Sequence, residues 1–121
     1  QTVYATQGRA RAIFAYDSIL YIAEDEKGVE LISVSDINNP SKISLIDTPG
    51  QALDIAVSGN YAFVADGAPG GLQIINVKNK LDPYIVGYYP TPDIAQSVTY
   101  DGNFIYVAAG AAGLLVLQFT P

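Results

Sequence analysis

The apolar positions of this chain fall into short runs broken by Gly, Pro, Asn and Asp. In the middle of the sequence the runs are Ala52–Ser58, Tyr61–Ala65, Leu72–Val77 and Tyr84–Tyr89. Each is rich in β-branched and aromatic residues and bounded by turn formers, which predicts four strands, a to d, in that order. Stretches such as Ile55-Ala-Val57 and Leu72-Gln-Ile-Ile75 are apolar at successive positions. A sheet covered on both faces needs that pattern; one with a wet face would alternate. Ser58-Gly59-Asn60 and Asp101-Gly102-Asn103 supply the positive φ angles of tight hairpins. No segment sustains a helical period, and Pro and Gly interrupt any long helix. The class is all-β.

The same pattern recurs along the chain. The stretch from Gly50 to Asp66 is echoed 43 residues later from Asp93 to Ala109, and 42 residues earlier from Gly8 to Glu24. Gly28-Val-Glu-Leu-Ile-Ser-Val34 matches Gly71-Leu-Gln-Ile-Ile-Asn-Val77 and Gly113-Leu-Leu-Val-Leu-Gln-Phe119. Thr48-Pro49 returns as Thr91-Pro92, and Pro40 as Pro83. Four strands in about 43 residues is the period of a β-propeller blade, whereas β-helix coils and leucine-rich repeats are shorter. The expected fold is therefore a single domain of three four-stranded antiparallel propeller-type blades, with repeats at 8–49, 50–92 and 93–121.

The strings Gly59-Asn-Tyr-Ala-Phe-Val-Ala-Asp-Gly67, Gly71-Leu-Gln-Ile-Ile-Asn-Val77 and Asp82-Pro83 resemble the LVIVD repeat, a propeller-forming motif found mostly in bacterial and archaeal secreted or surface proteins. The resemblance spans nearly the whole chain. It implies a propeller and an extracellular or cell-surface setting, and it brings no shared catalytic residues. The first copy departs most: Asp17-Ser18-Ile19 replaces Gly-Asn-Tyr, and Glu24-Asp-Glu26 stands where the others have Asp66-Gly67 and Ala109-Gly110.

Counting strands gives d, abcd, abcd, abc, with residues 1–7 in the place of a strand d and the last repeat ending after strand c. The N-terminal strand is thus able to complete a C-terminal blade. Three blades are fewer than the four to eight of ordinary propellers, and open strand edges invite pairing with another chain. The expected partner is a second copy, in a closed ring or a head-to-tail polymer, with Val3, Tyr4, Leu115, Leu117 and Phe119 as assembly contacts. Tyr84, Tyr88 and Tyr89 on the outermost strand offer a further contact surface, Tyr being enriched at interfaces. The start at Gln1 fits a matured chain or a piece of a longer propeller alike, and an accessory or ligand-binding segment of a larger enzyme or receptor is the alternative reading.

Composition narrows the chemistry. A net charge of −6 with only six Lys and Arg argues against nucleic acid, whose phosphates need clustered cations. The absence of Cys and His removes thiol nucleophiles, disulfides, zinc thiolates and the commonest general base. No apolar run is long enough to insert in a membrane, and no cofactor motif is present. Strand a, innermost in a propeller, carries Arg11, Asp54 and Gln96, which are candidate ligand contacts at a central channel or plain solvated side chains. The carboxylates of Glu24–Gly28 and Asp66–Gly71 match no calcium-loop spacing and are expected in solvated turns. Twelve acids without a motif single out no hydrolytic pair. Tyr61, Phe63, Phe104 and Tyr106 are expected to pack within blades. The expectation is a non-catalytic structural or interaction module that associates with itself.

Overall fold

The computed structural model describes residues 2–121. Among the described residues eleven strands form three antiparallel sheets, each built from consecutive strands. Blade 1 contains β1 (Ala12–Tyr16), β2 (Ile19–Ala23), β3 (Val29–Ser33) and β4 (Ser41–Ile46). Blade 2 contains β5 (Asp54–Ser58), β6 (Tyr61–Ala65), β7 (Leu72–Asn76) and β8 (Tyr84–Tyr89). Blade 3 contains β9 (Ser97–Tyr100), β10 (Phe104–Ala108) and β11 (Leu114–Gln118). Single helical turns at Gly67–Gly70 and Gly110–Ala112 follow β6 and β10.

Registers repeat with the sequence. Val29 pairs with Ile46 in blade 1 and Leu72 with Tyr89 in blade 2. Both third-to-fourth strand ladders carry a bulge at the same place, between Leu31 and Ile32 and between Ile74 and Ile75. The divergent first copy keeps the same backbone: Asp17 and Ser18 turn the first hairpin with positive φ, and Asp25 has φ 54° where Gly67 has 60° and Gly110 has 55°. Asp and Asn tolerate this region through local hydrogen bonding.

The first strands of the blades stand side by side, β1 against β5 and β5 against β9. Because side chains alternate across a strand, each blade presents one face to the preceding blade and one to the next. Blade 2 turns Ile55, Val57, Ala62, Val64 and Ile75 toward Tyr21, Ala23, Val29 and Leu31 of blade 1. Its other face, with Ala56, Phe63, Ala65 and Leu72, meets Val98, Ile105 and Val107 of blade 3. In that second core Phe63 lies against Tyr100 and Phe119, with ring centroids 4.8 and 5.4 Å apart. Burying a side chain of this size stabilises the fold by roughly 1.5–3 kcal/mol, so the two boundaries between blades dominate stability.

Residues 2–7, expected as a strand d, form no strand in the single chain; a strand needs a partner, and this segment has none among the described residues. Gln1, the first residue of that expected strand, lies outside the described residues.

Candidate functional site

Two features of the fold have unspent capacity: the polar junctions that lock each blade to the chain segment entering it, and the two apolar blade faces at the ends of the row.

The junctions centre on the residue after the second strand of a blade. In blade 2 this is Asp66, fully buried. Its Oδ1 accepts from the Thr48 hydroxyl at 2.6 Å and its Oδ2 from the Gly50 amide at 2.9 Å. The carboxylate thereby ties down the link between blades 1 and 2. A Cβ on Gly50 would run into the Asp66 carbonyl, so Thr48-Pro49 leads here to a residue without a side chain because the backbones approach closely. Burial raises the pKa of Asp66 against the opposing effect of these two hydrogen bonds. In blade 3 the roles are exchanged. Ala109 replaces the acid, and Asp93 on the incoming link reaches back to the Ala111 amide at 2.8 Å.

In blade 1 the same junction holds two acids. Glu24 and Glu30 both have 0% exposure, and Glu30 stands where blade 2 has Gln73. Glu24 Oε1 accepts from the Gly8 amide at 2.8 Å. Glu30 accepts from the Gln7 amide at 3.1 Å and the Tyr4 hydroxyl at 2.9 Å. Burial, then hydrogen bonding to Glu30, pushes Glu24 up to about 7. Burial would raise Glu30 as well, but hydrogen bonds from Glu24, Gln7 and Tyr4 outweigh it and hold Glu30 below the usual range. Glu24 therefore keeps its proton up to about pH 7, with Oε2 buried and without a hydrogen-bond partner.

A raised carboxyl beside an ionised one is the constellation of acid–base hydrolysis. Here, however, the acceptors are taken by the chain's own Tyr4, Gln7 and Gly8. The polar recess of about 400 Å³ beside the pair is lined by Glu24 itself with Arg9, Asp25, Glu26 and Lys27, while Glu24 and Glu30 have no exposed surface. The pair holds the N-terminal segment as Asp66 holds Thr48–Gly50. Glu24 and Asp66, expected in solvated turns, are instead buried junction residues. Burial is tolerated because Glu24 Oε1, both Glu30 oxygens and both Asp66 oxygens accept hydrogen bonds.

Two of the three expected channel contacts are bonded within the chain. Arg11 pairs with Asp25 at 3.4 Å, a partly exposed ion pair of small energetic weight. Asp54 bonds across the blade boundary, accepting at Oδ2 from the Ser97 hydroxyl and the Val98 amide, both at 3.0 Å. Gln96 is exposed, with its backbone N–H donating to the Ala108 carbonyl. Among the described residues, no group of three or more acids could hold a metal ion.

The end faces are apolar, that of blade 3 open and that of blade 1 partly covered, with Ile13 exposed but Ile22 and Ile32 buried. On blade 1, Ile13, Leu20, Ile22, Ile32 and Val34 occupy the positions of Ile55, Ala62, Val64, Ile75 and Val77 in blade 2. With Tyr4 they line a cavity of about 600 Å³. On blade 3 the open face carries Phe104, Tyr106, Leu114 and Val116; Leu114 is 65% exposed where its counterpart Leu72 is fully buried. Phe104 and Tyr106, expected as packing within the blade, thus stand on this free face, and Tyr106 is hydrogen-bonded to Asp101 at 2.7 Å. Leu115, Leu117 and Phe119 point the other way, into the second core. Leu114 and Val116 take the open face in their place, because one residue's shift along a strand changes the face. The backbone edge that β11 leaves free is at Leu114, Val116 and Gln118, because Gly113 and every second residue after it bond to β10. Val3, Tyr84, Tyr88 and Tyr89 are exposed.

The family model described as LVIVD repeat matches three times in tandem, over residues 7–48, 49–91 and 93–117. The chain belongs to the LVIVD-repeat family. The matched units coincide with the three sheets, so each LVIVD repeat here is one blade, and the first unit begins at Gln7, at the buried carboxyl junction. The LVIVD repeats of this chain are propeller-type all-β units. No curated protein matches the chain.

Proposed function

We propose that this chain is a non-catalytic interaction module that assembles head to tail through its end faces, blade 1 of one copy against blade 3 of the next. The reading rests on one observation. The two end faces are the two halves of an interface that the chain already forms twice internally. The end face of blade 1 repeats the blade 2 face that packs on blade 1, and the open face of blade 3 repeats the blade 2 face that packs on blade 3. A second copy offers both complements. Two copies make six blades, within the four to eight that close a propeller. The interface is heterologous, so a twist that fails to close would give a filament instead.

The setting we assign is extracellular or at the cell surface, following the family. The Glu24–Glu30 pair is assigned a holding role, since its oxygens are engaged by the chain itself.

Light scattering on the purified chain, followed by electron microscopy of the same sample, tests the association. A mass of two chains with ring-shaped particles is expected, and filaments would show the same contact without closure. A well-behaved monomer overturns the reading and leaves the end faces to blades of a longer polypeptide.

A further inference from the structure

The open edge of β11 and the N-terminal segment are complementary in register as well as in shape. In both complete blades the third strand pairs with a fourth at equivalent rungs: Val29 with Ile46, Glu30 with Leu45 and Leu31 with Ser44 in blade 1; Leu72 with Tyr89, Gln73 with Tyr88 and Ile74 with Gly87 in blade 2. One repeat period carries Leu72 to Leu114 and Ile46 back to Tyr4. We infer that the N-terminal segment of one copy is the fourth strand of blade 3 in the next, with Tyr4 opposite Leu114, Val3 opposite Leu115 and Thr2 opposite Val116. The pairing rests on head-to-tail association and specifies its seam.

Two further observations agree with this register. The segment is already anchored where a fourth strand would hand over to the following blade. Gly8 bonds to Glu24 as Gly50 bonds to Asp66, so Thr2–Tyr4 is delivered to the rim of blade 1 and not left to search.

The side-chain phase also matches. In this register Tyr4 and Thr2 share the open face of blade 3 with Leu114 and Val116, the face that meets blade 1. Tyr4 does turn toward blade 1, donating to Glu30 at 2.9 Å. Its counterpart Ile46 packs in the core between blades 1 and 2. A slip of one residue would turn Tyr4 away from Glu30. Val3, exposed in the single chain, gains the rim beside Leu115 of the partner copy. The bulge after the third rung in both complete blades limits the transferred register to these three rungs.

The chain has no Cys, which makes cross-linking a direct test. Thr2, Leu114 and Val116 are all exposed, so cysteines there leave the cores intact. Directly opposed residues bring their Cβ atoms within roughly 4.5–5.5 Å, whereas diagonal neighbours lie at roughly 7–8 Å, too far for a disulfide. Under mild oxidation the T2C/V116C variant is expected to form disulfides between chains at least ~10-fold more completely than T2C/L114C. Equal cross-linking of both variants, cross-linking of neither, or a disulfide within one chain overturns the register. The mass of the unsubstituted chain separates the two claims. If it is a multiple of the monomer while the register fails, head-to-tail association stands and only the seam is wrong; if it is monomeric, both fall.

Discussion

Ser97 donates its hydroxyl to Asp54 at 3.0 Å, across the boundary between blades 2 and 3 and one repeat period along the chain. The same Asp54 oxygen takes the Val98 amide, so one carboxylate ties the innermost strands of two blades. The position before it in the series is Ala12, and blades 1 and 2 have no such bond. We expect Asp54→Ala to lower stability by about 1–3 kcal/mol, since the Val98 amide loses its acceptor. Ser97→Ala should cost about 1 kcal/mol or less. Urea unfolding of the two variants checks the order; equal costs would leave Asp54 without the special role given to it.

The buried acid pair of blade 1 gives stability a pH dependence of definite sign. Glu24 titrates near 4.5 in the unfolded chain and at about 7 in the folded one. Across that window the folded state holds a proton that the unfolded state has released, so stability falls as pH rises through it. Asp66, raised by burial, acts in the same direction. Glu30, held low, acts oppositely in acid, where its contribution is lost as pH falls. Thermal unfolding should give a Tm that declines from about pH 5 to about pH 8. Glu24→Gln, which keeps the donor to Glu30 without the charge, should reduce that slope and stabilise the chain at the alkaline end by on the order of 1 kcal/mol.

At the link between blades, Thr48 is a buried hydroxyl with one partner, Asp66 Oδ1. Thr48→Val keeps the shape and strands that oxygen. The expected loss is about 1–3 kcal/mol, read as a lower urea midpoint with an unchanged slope.

Charges on the end faces should separate folding from assembly. Ile13 is 59% exposed on the blade 1 face and Val116 is 52% exposed on the blade 3 face. Ile13→Lys and Val116→Lys should each leave the circular dichroism spectrum and Tm of the single chain nearly unchanged, surface substitutions usually falling within about 0.5 kcal/mol. Each should also abolish association, because a lysine facing an apolar blade is desolvated without a partner. Retention of the oligomer by both variants would place the contact elsewhere.

Much of the fold was legible in the chain because its determinants are local and repeated three times. Turn residues at Gly59 and Gly102 mark hairpins, and β-rich runs mark strands; β6 and β8 have the bounds that the runs Tyr61–Ala65 and Tyr84–Tyr89 predict. Apolar residues at adjacent positions require both faces of a sheet to be covered.

Tertiary structure alone decided which side of each strand meets which blade. Leu114 and Leu115 are the same residue type in adjacent positions, yet one is exposed and the other enters the second core. Only the direction in which blade 3 docks on blade 2 distinguishes them. The junction acids were hidden for a related reason. Glu24 and Asp66 read as solvated because carboxylates usually are, no motif singles out Glu30, and what makes all three burial sites is the set of donors from Tyr4, Gln7, Gly8, Thr48 and Gly50 brought to them by folding. The sequence by itself determined the repeat, the strand order and the two-sided blade. Which faces stay open, and which charges are enclosed, depends on contacts between residues far apart along the chain, and packing fixes those only once the blades are set side by side.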